Sequence, residues 1–82
     1  MDNNENKIFV GNLDFKVDTE DLKEAFLSCG TVKSAKVLIH RETNESRGFG
    51  FVQFENKGAF EAALQKNNEA LRGRNMIVNV AK

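Results

Sequence analysis

Eighty-two residues make one domain at most, with a thin core and marginal stability. Twelve basic residues balance twelve acidic ones, so bulk charge names no partner, and the single cysteine, Cys29, allows neither an internal disulfide framework nor a cysteine metal cluster. No apolar run reaches the roughly 18 residues of a membrane span, and the Asp/Asn/Glu-rich start is not a signal-peptide pattern, so a reducing intracellular setting, nuclear or cytoplasmic, is the simplest expectation.

Met1 to Asn6 is polar and is expected to be a disordered tail, followed by one domain over residues 7–82. Lys7 to Asn12 reads as a strand with Ile8 and Val10 on one side and Phe9 and Gly11 on the other. Asp18 fits a helix N-cap, with Glu20 and Asp21 in the first turn. Leu22, Ala25, Phe26 and Cys29 then share one helical face, and Gly30 ends a helix predicted over 18–28. Val32 to Ile39 is a second strand, with Ala35, Val37 and Ile39 on one side and Lys36 and Leu38 on the other. His40 to Ser46 is a polar loop, and Arg47 to Phe54 a third strand. A second helix is predicted over 57–66, with Phe60, Ala63 and Leu64 as its apolar stripe. Asn67, Asn68 and Gly73 mark turns around Leu71. Asn75 to Ala81 is the last strand, with Met76, Val78 and Val80 on one side and Ile77 and Asn79 on the other.

Strand-helix-strand occurs twice, which predicts an α+β fold, the ferredoxin-like βαββαβ sandwich. One set of strand positions is wholly apolar: Ile8, Val10, Ala35, Val37, Ile39, Val52, Phe54, Met76, Val78 and Val80. It must be the core face, and right-handed crossovers place both helices against it. Gly48 and Gly50 fall on that side, where a helix can approach closely. The helices hold five acidic and three basic residues, so past residue 6 the strands and loops keep nine basic against five acidic.

The other face mixes Phe9, Phe49, Phe51, Leu38 and Ile77 with Gly11, Lys36, Gln53 and Asn79. No segment of the chain is left to cover it, and an exposed apolar patch in mid-sheet marks an interaction site. Coplanar phenylalanine rings beside Arg and Lys suit single-stranded nucleic acid, with bases on the rings and cations on the phosphates. An enzyme would need a nucleophile, an acid–base pair or metal ligands in a cleft. With one His, one Cys and no cluster of either with Asp, no catalytic or metal site is expected. Leu13-Asp14-Phe15 after the first strand is apolar and acidic, not an anion cradle, and His40 reads as a solvated loop residue.

The octamer Arg47-Gly48-Phe49-Gly50-Phe51-Val52-Gln53-Phe54 matches the pattern K/R-G-F/Y-G/A-F-V-x-F/Y at every position. With the hexamer Ile8-Phe9-Val10-Gly11-Asn12-Leu13 and the closing Leu71-x-Gly73-Arg74-x-Met76-x-Val78, the chain over about residues 7–82 resembles the RNA-recognition motif family. The resemblance implies a four-stranded antiparallel sheet in the order 4-1-3-2 with two helices on one face. It implies that Phe9 and Phe51 each stack under a base, that Phe49 lies against the sugars between two nucleotides, and that Arg47 pairs with a phosphate. Lys7, Gln53, Asn79, Ala81 and Lys82 would offer hydrogen bonds at the sheet edge and C-terminal segment, with Lys36 on the same face. The implied partner is single-stranded RNA, with single-stranded DNA as a variant, no cofactor and no membrane, in a monomeric module of a larger protein. Departures from the family's usual look are Asn44-Glu45 in the loop before Arg47, His40, Cys29 and Ile77. The greasier face given by Ile77 and Leu38 keeps a second reading open, a protein-interaction module using the sheet or the acidic first helix.

Overall fold

The alternation that begins at Lys7 becomes strand β1 (Lys7–Gly11) in a computed structural model, which describes residues 6–81. The tail expected over 1–6 lies outside these residues except for Asn6, whose carbonyl accepts a hydrogen bond from the Phe54 N–H at 2.9 Å. Helix α1 (Thr19–Phe26) starts at the expected cap. Asp18 Oδ1 accepts from the Asp21 N–H at 2.8 Å, and Asp21 Oδ2 accepts in return from the Asp18 N–H at 3.3 Å, a reciprocal capping box. The predicted last turn of this helix tightens into a 3-10 turn, Leu27–Cys29. Gly30 follows at φ 149° and ψ −168°, a region essentially reserved for glycine. A Cβ there would sit 2.5 Å from the Ala59 Cβ of helix α2 (Lys57–Leu64), so the same glycine lets the second helix close on the end of the first. Asn56 caps α2, its Oδ1 accepting from the Ala59 N–H at 2.8 Å.

Strands β2 (Val32–Ile39) and β3 (Ser46–Phe54) join β1 and the last strand, β6 (Ile77–Val80), in one antiparallel sheet of order β2-β3-β1-β6. Counting β6 as the fourth predicted strand, this is the expected 4-1-3-2 order of the ferredoxin-like fold. The predicted strand over 75–81 is shorter than expected because its first part pairs elsewhere. Ala70–Leu71 (β4) and Arg74–Asn75 (β5) form a small hairpin, and Met76 binds back to Glu69 and Asn68 through its backbone. On β6, the Val78 N–H donates to Asn67 Oδ1 at 2.9 Å, a side-chain partner for a backbone group on an edge strand.

The core lies between the sheet and the two helices. Ile8, Val10, Val52, Phe54 and Val78 meet Leu22, Phe26, Ala59 and Ala63, with the Phe26 and Phe54 rings 6.2 Å apart and edge to face. Leu13 and Val17, from the loop after β1, close one end of it. At Gly50 a Cβ would overlap the Lys36 carbonyl of β2 and approach Leu22 Cδ2 of α1, so the expected close approach involves both a strand and a helix. Cys29 packs against the core, and burial pushes its thiol up from the ordinary value.

Three core expectations are corrected. Ile39 is 49% exposed and Val80 51% exposed. Ile39 ends the edge strand β2 after a register shift between Val37 and Ile39, and Val80 ends the opposite edge strand, so both stand at the margin of the layer. On α2 the buried positions are Ala59 and Ala63, while Phe60 and Leu64 flank them half-buried. The small residues, not the large ones, face the sheet because that lets the helix lie close to it.

Candidate nucleic-acid interface

Antiparallel pairing carries three phenylalanines to the face opposite the helices. Phe9 of central β1 lies directly across from Phe51 of β3 on one side and from Asn79 of β6 on the other. Phe49 stands two residues before Phe51 and so shares its face. All three are partly exposed, whereas Val52 and Ile8 behind them are fully buried. The rings are not coplanar as expected: Phe9 is 5.8 Å from both others, tilted 37° to Phe49 and 66° to Phe51. Cross-strand rings at this distance favour edge-to-face over parallel contact, because the ring edge is positive and the face negative.

Two cations sit on the ring faces. Lys7 Nζ lies 5.0 Å from the centre of the Phe51 ring, and the Arg47 guanidinium 5.1 Å from that of Phe49. Lys36 stands opposite Phe51 on β2, and Gln53 opposite Lys7. The Ala81 side chain is buried and its N–H donates to the Lys7 carbonyl at 3.0 Å, extending the β1–β6 pairing. Lys82 lies outside the described residues.

Grooves open on both sides of the ring cluster. One, of about 410 Å³, is lined by Asn12, Phe15, Arg47, Phe49, Arg74 and Ile77 among others; a second, of about 280 Å³, by Lys7, Ser34, Lys36, Phe51 and Gln53. Every charged side chain lining either groove is basic. The balanced net charge thus conceals a basic strip along the aromatic face. Asn12, Phe15 and Arg74 were not singled out as site residues from the sequence. Phe15 had one available signal, an aromatic in a loop outside any apolar period, and it is 70% exposed.

Among the described residues no group of three His, Cys, Asp or Glu side chains is placed to hold a metal ion, and no helix is long and apolar enough to cross a membrane.

The family model described as RNA recognition motif matches residues 8–77. The chain belongs to this family. It is 45% identical over 76 residues to the mitochondrial glycine-rich RNA-binding protein 2 of Arabidopsis thaliana, covering 92% of this chain and 48% of that protein. It is 44% identical over 71 residues to RNA-binding protein 34 of Rattus norvegicus, covering 87% of this chain and 17% of that protein. The second RNA recognition motif of the yeast poly(U)-binding protein Pub1 superposes with a TM-score of 0.85 at 34% identity, covering 93% of each chain. The chain therefore spans about half of one curated relative and a small part of the other. The relatives' names include a mitochondrial protein, so the family does not by itself choose a compartment.

Proposed function

We propose that this RNA recognition motif binds single-stranded RNA across the open face of its sheet, by stacking and charge and without catalysis, as one module of a larger protein. The observation that carries the reading is the ring cluster Phe9, Phe49 and Phe51, partly exposed between two grooves whose charged lining residues are all basic. Phe9 and Phe51 each take a base, Phe49 packs against the sugars between them, and Asn79 and Gln53 read base edges beside the rings. Lys7 and Arg47 leave the ring faces for neighbouring phosphates. Each exposed cation–π contact is worth about 0.5–1 kcal/mol, against about 1–3 kcal/mol for each stacked base, so the exchange favours the bound state. Lys36 adds a further phosphate contact. The relatives' names describe RNA-binding proteins, which supports the class of ligand.

The test is titration of the domain and its Phe49→Ala and Phe51→Ala variants with random-sequence single-stranded RNA, and with DNA of the same composition, alongside thermal unfolding. Loss of affinity with the fold intact supports the reading. Unchanged affinity in both variants overturns it. A second reading, a protein partner on the same face, is favoured by Ile77, which is 45% exposed beside Phe9 and Phe49. A protein partner captured by the wild type and lost by the Phe variants, with no RNA affinity in any of them, would select it.

A further inference from the structure

Ser34 stands on the open face of β2, directly opposite Gln53 and two residues before Lys36. It is exposed, and it lines the groove of about 280 Å³ with Lys7, Lys36, Phe51 and Gln53. Among the described residues it is the only hydroxyl side chain lining either basic groove. Other hydroxyls are already engaged elsewhere. Thr19 Oγ1 accepts from the Val37 N–H at 3.1 Å, and Thr43 Oγ1 from the Glu45 N–H at 3.4 Å. Ser46 is buried, its Oγ accepting from the Gly48 N–H at 3.0 Å.

The backbone around Ser34 is open to a second protein. β2 is an edge strand, and a register shift between Val32 and Ser34 breaks the regular ladder at this point. The flanking sequence is basic. Lys33 precedes Ser34, Lys36 follows two residues on, and no acidic residue occurs from Ala25 to Arg41. An exposed serine in an extended segment between lysines suits the charge pattern of a serine kinase with an acidic peptide groove.

We propose that Ser34 is a phosphorylation site whose phosphate closes the Lys7 and Lys36 groove to RNA. The co-reactant is ATP, bound by the kinase. Ser34 Oγ forms a bond to the γ-phosphorus, and the bond from that phosphorus to the β,γ-bridging oxygen breaks. ADP leaves, and the hydroxyl proton passes to a carboxylate of the kinase. The product carries a charge of about −1.5 to −2 at pH 7, which offsets the two lysine charges lining the groove. Side chains two residues apart on a strand stand about 7 Å from each other, so the phosphate reaches the Lys36 ammonium. It also draws Lys7 from the Phe51 ring, and both cations are then held by the protein's own phosphate. The inference rests on the RNA-binding reading and adds a control to it.

The 82-residue protein and its Ser34→Ala variant are incubated with ATP and a serine kinase that prefers lysine and arginine beside its acceptor, and phosphate is located by mass spectrometry. Wild type takes it at Ser34, and Ser34→Ala loses it. Ser34→phosphoserine, installed during translation, is then compared with wild type and Ser34→Gln by anisotropy with random-sequence single-stranded RNA over a range of salt. Phosphoserine lowers affinity about tenfold at an ionic strength of about 0.1 M. It also makes the slope of log K against log salt shallower by about 0.7–1.4, the loss of one or two phosphate contacts. Ser34→Gln stays within about twofold of wild type. Phosphate found only on other residues, or phosphoserine that binds RNA as wild type does, overturns the proposal while the sheet reading stands. An equal loss in Ser34→Gln, or a loss with an unchanged slope, assigns the effect to shape rather than charge and also overturns it. If wild type binds no RNA, both fall.

Discussion

Phe9 and Phe51 face each other across β1 and β3 with their ring centres 5.8 Å apart, and the next pair along, Ile8 and Val52, lies fully buried on the opposite face. One step along the strand thus separates a proposed binding function from a packing function. Phe9→Ala and Phe51→Ala are each expected to lower RNA affinity by about 1–3 kcal/mol and stability by only about 1 kcal/mol through loss of the ring pair. Phe54→Ala, which empties a core position against Phe26, is expected to cost about 3–5 kcal/mol of stability. The total for a domain of 82 residues is roughly 4–12 kcal/mol, so this change endangers the fold itself. The chain has no Trp or Tyr, so unfolding is best followed by far-UV circular dichroism.

Salt dependence separates the cations of the proposed interface from the rest. For single-stranded nucleic acid, each phosphate neutralised contributes a slope of about −0.7 in log K against log salt. Arg47→Ala and Lys36→Ala are each expected to make the slope shallower by about 0.7. Lys23→Ala, on α1 and on the other side of the sheet, is expected to leave it unchanged. A slope insensitive to Arg47 and Lys36 would mean that phosphates do not lie along this strip.

The elements legible in the sequence are those whose periodicity matches their burial. Ile8, Val10, Val52 and Phe54 alternate with Phe9, Phe49 and Phe51, and the sheet buries the first set and leaves the second open. Asp18 precedes a helix that begins at its cap. Leu13 and Val17 escaped because a loop has no period to betray a buried face. Ile39 and Val80 have the right period but lie at opposite sheet edges, and strand pairing order is not a local property. The β4–β5 hairpin is too short for any alternation. Its turn, Arg72-Gly73, has positive φ at both residues, 51° and 86°, with arginine in a place usually held by asparagine, aspartate or glycine. Arg74 and Phe15 came together only through that hairpin and the loop after β1, from opposite ends of the sequence.

The same hairpin is pinned to α1. Arg72 donates from Nε to Asp21 Oδ2 at 3.0 Å and from Nη2 to Asp21 Oδ1 at 3.2 Å. These bonds, with the capping bond from Asp18, hold the Asp21 carboxyl below the ordinary carboxylate range. A lowered folded value means that the unfolded chain takes up the proton first as pH falls. The contribution is therefore complete above the ordinary carboxylate range and is lost as pH falls through it to the lowered value. Because the pair is solvent-accessible, the effect is small. Arg72→Gln is expected to lower the melting temperature slightly near neutral pH, and the gap from wild type is expected to narrow by about pH 3. A gap that stays constant over this range would assign the effect to the turn rather than to the ion pair.

Gly30 joins two demands at one position, a backbone region closed to other residues and contact with Ala59 of α2. Gly30→Ala is expected to cost about 1–3 kcal/mol from the backbone alone, with a further penalty as its Cβ meets that of Ala59. Ala59→Gly alone is expected to cost about 1 kcal/mol for glycine within a helix. If the contact matters, the double variant loses less than the sum of the two, because removing the Ala59 Cβ relieves the overlap but not the backbone strain. Urea unfolding of the four proteins by circular dichroism measures this coupling. Strict additivity would place the whole penalty in the backbone. RNA affinity under fully folded conditions is expected to be equal in all four, since the contact lies on the helical side of the sheet, away from the rings.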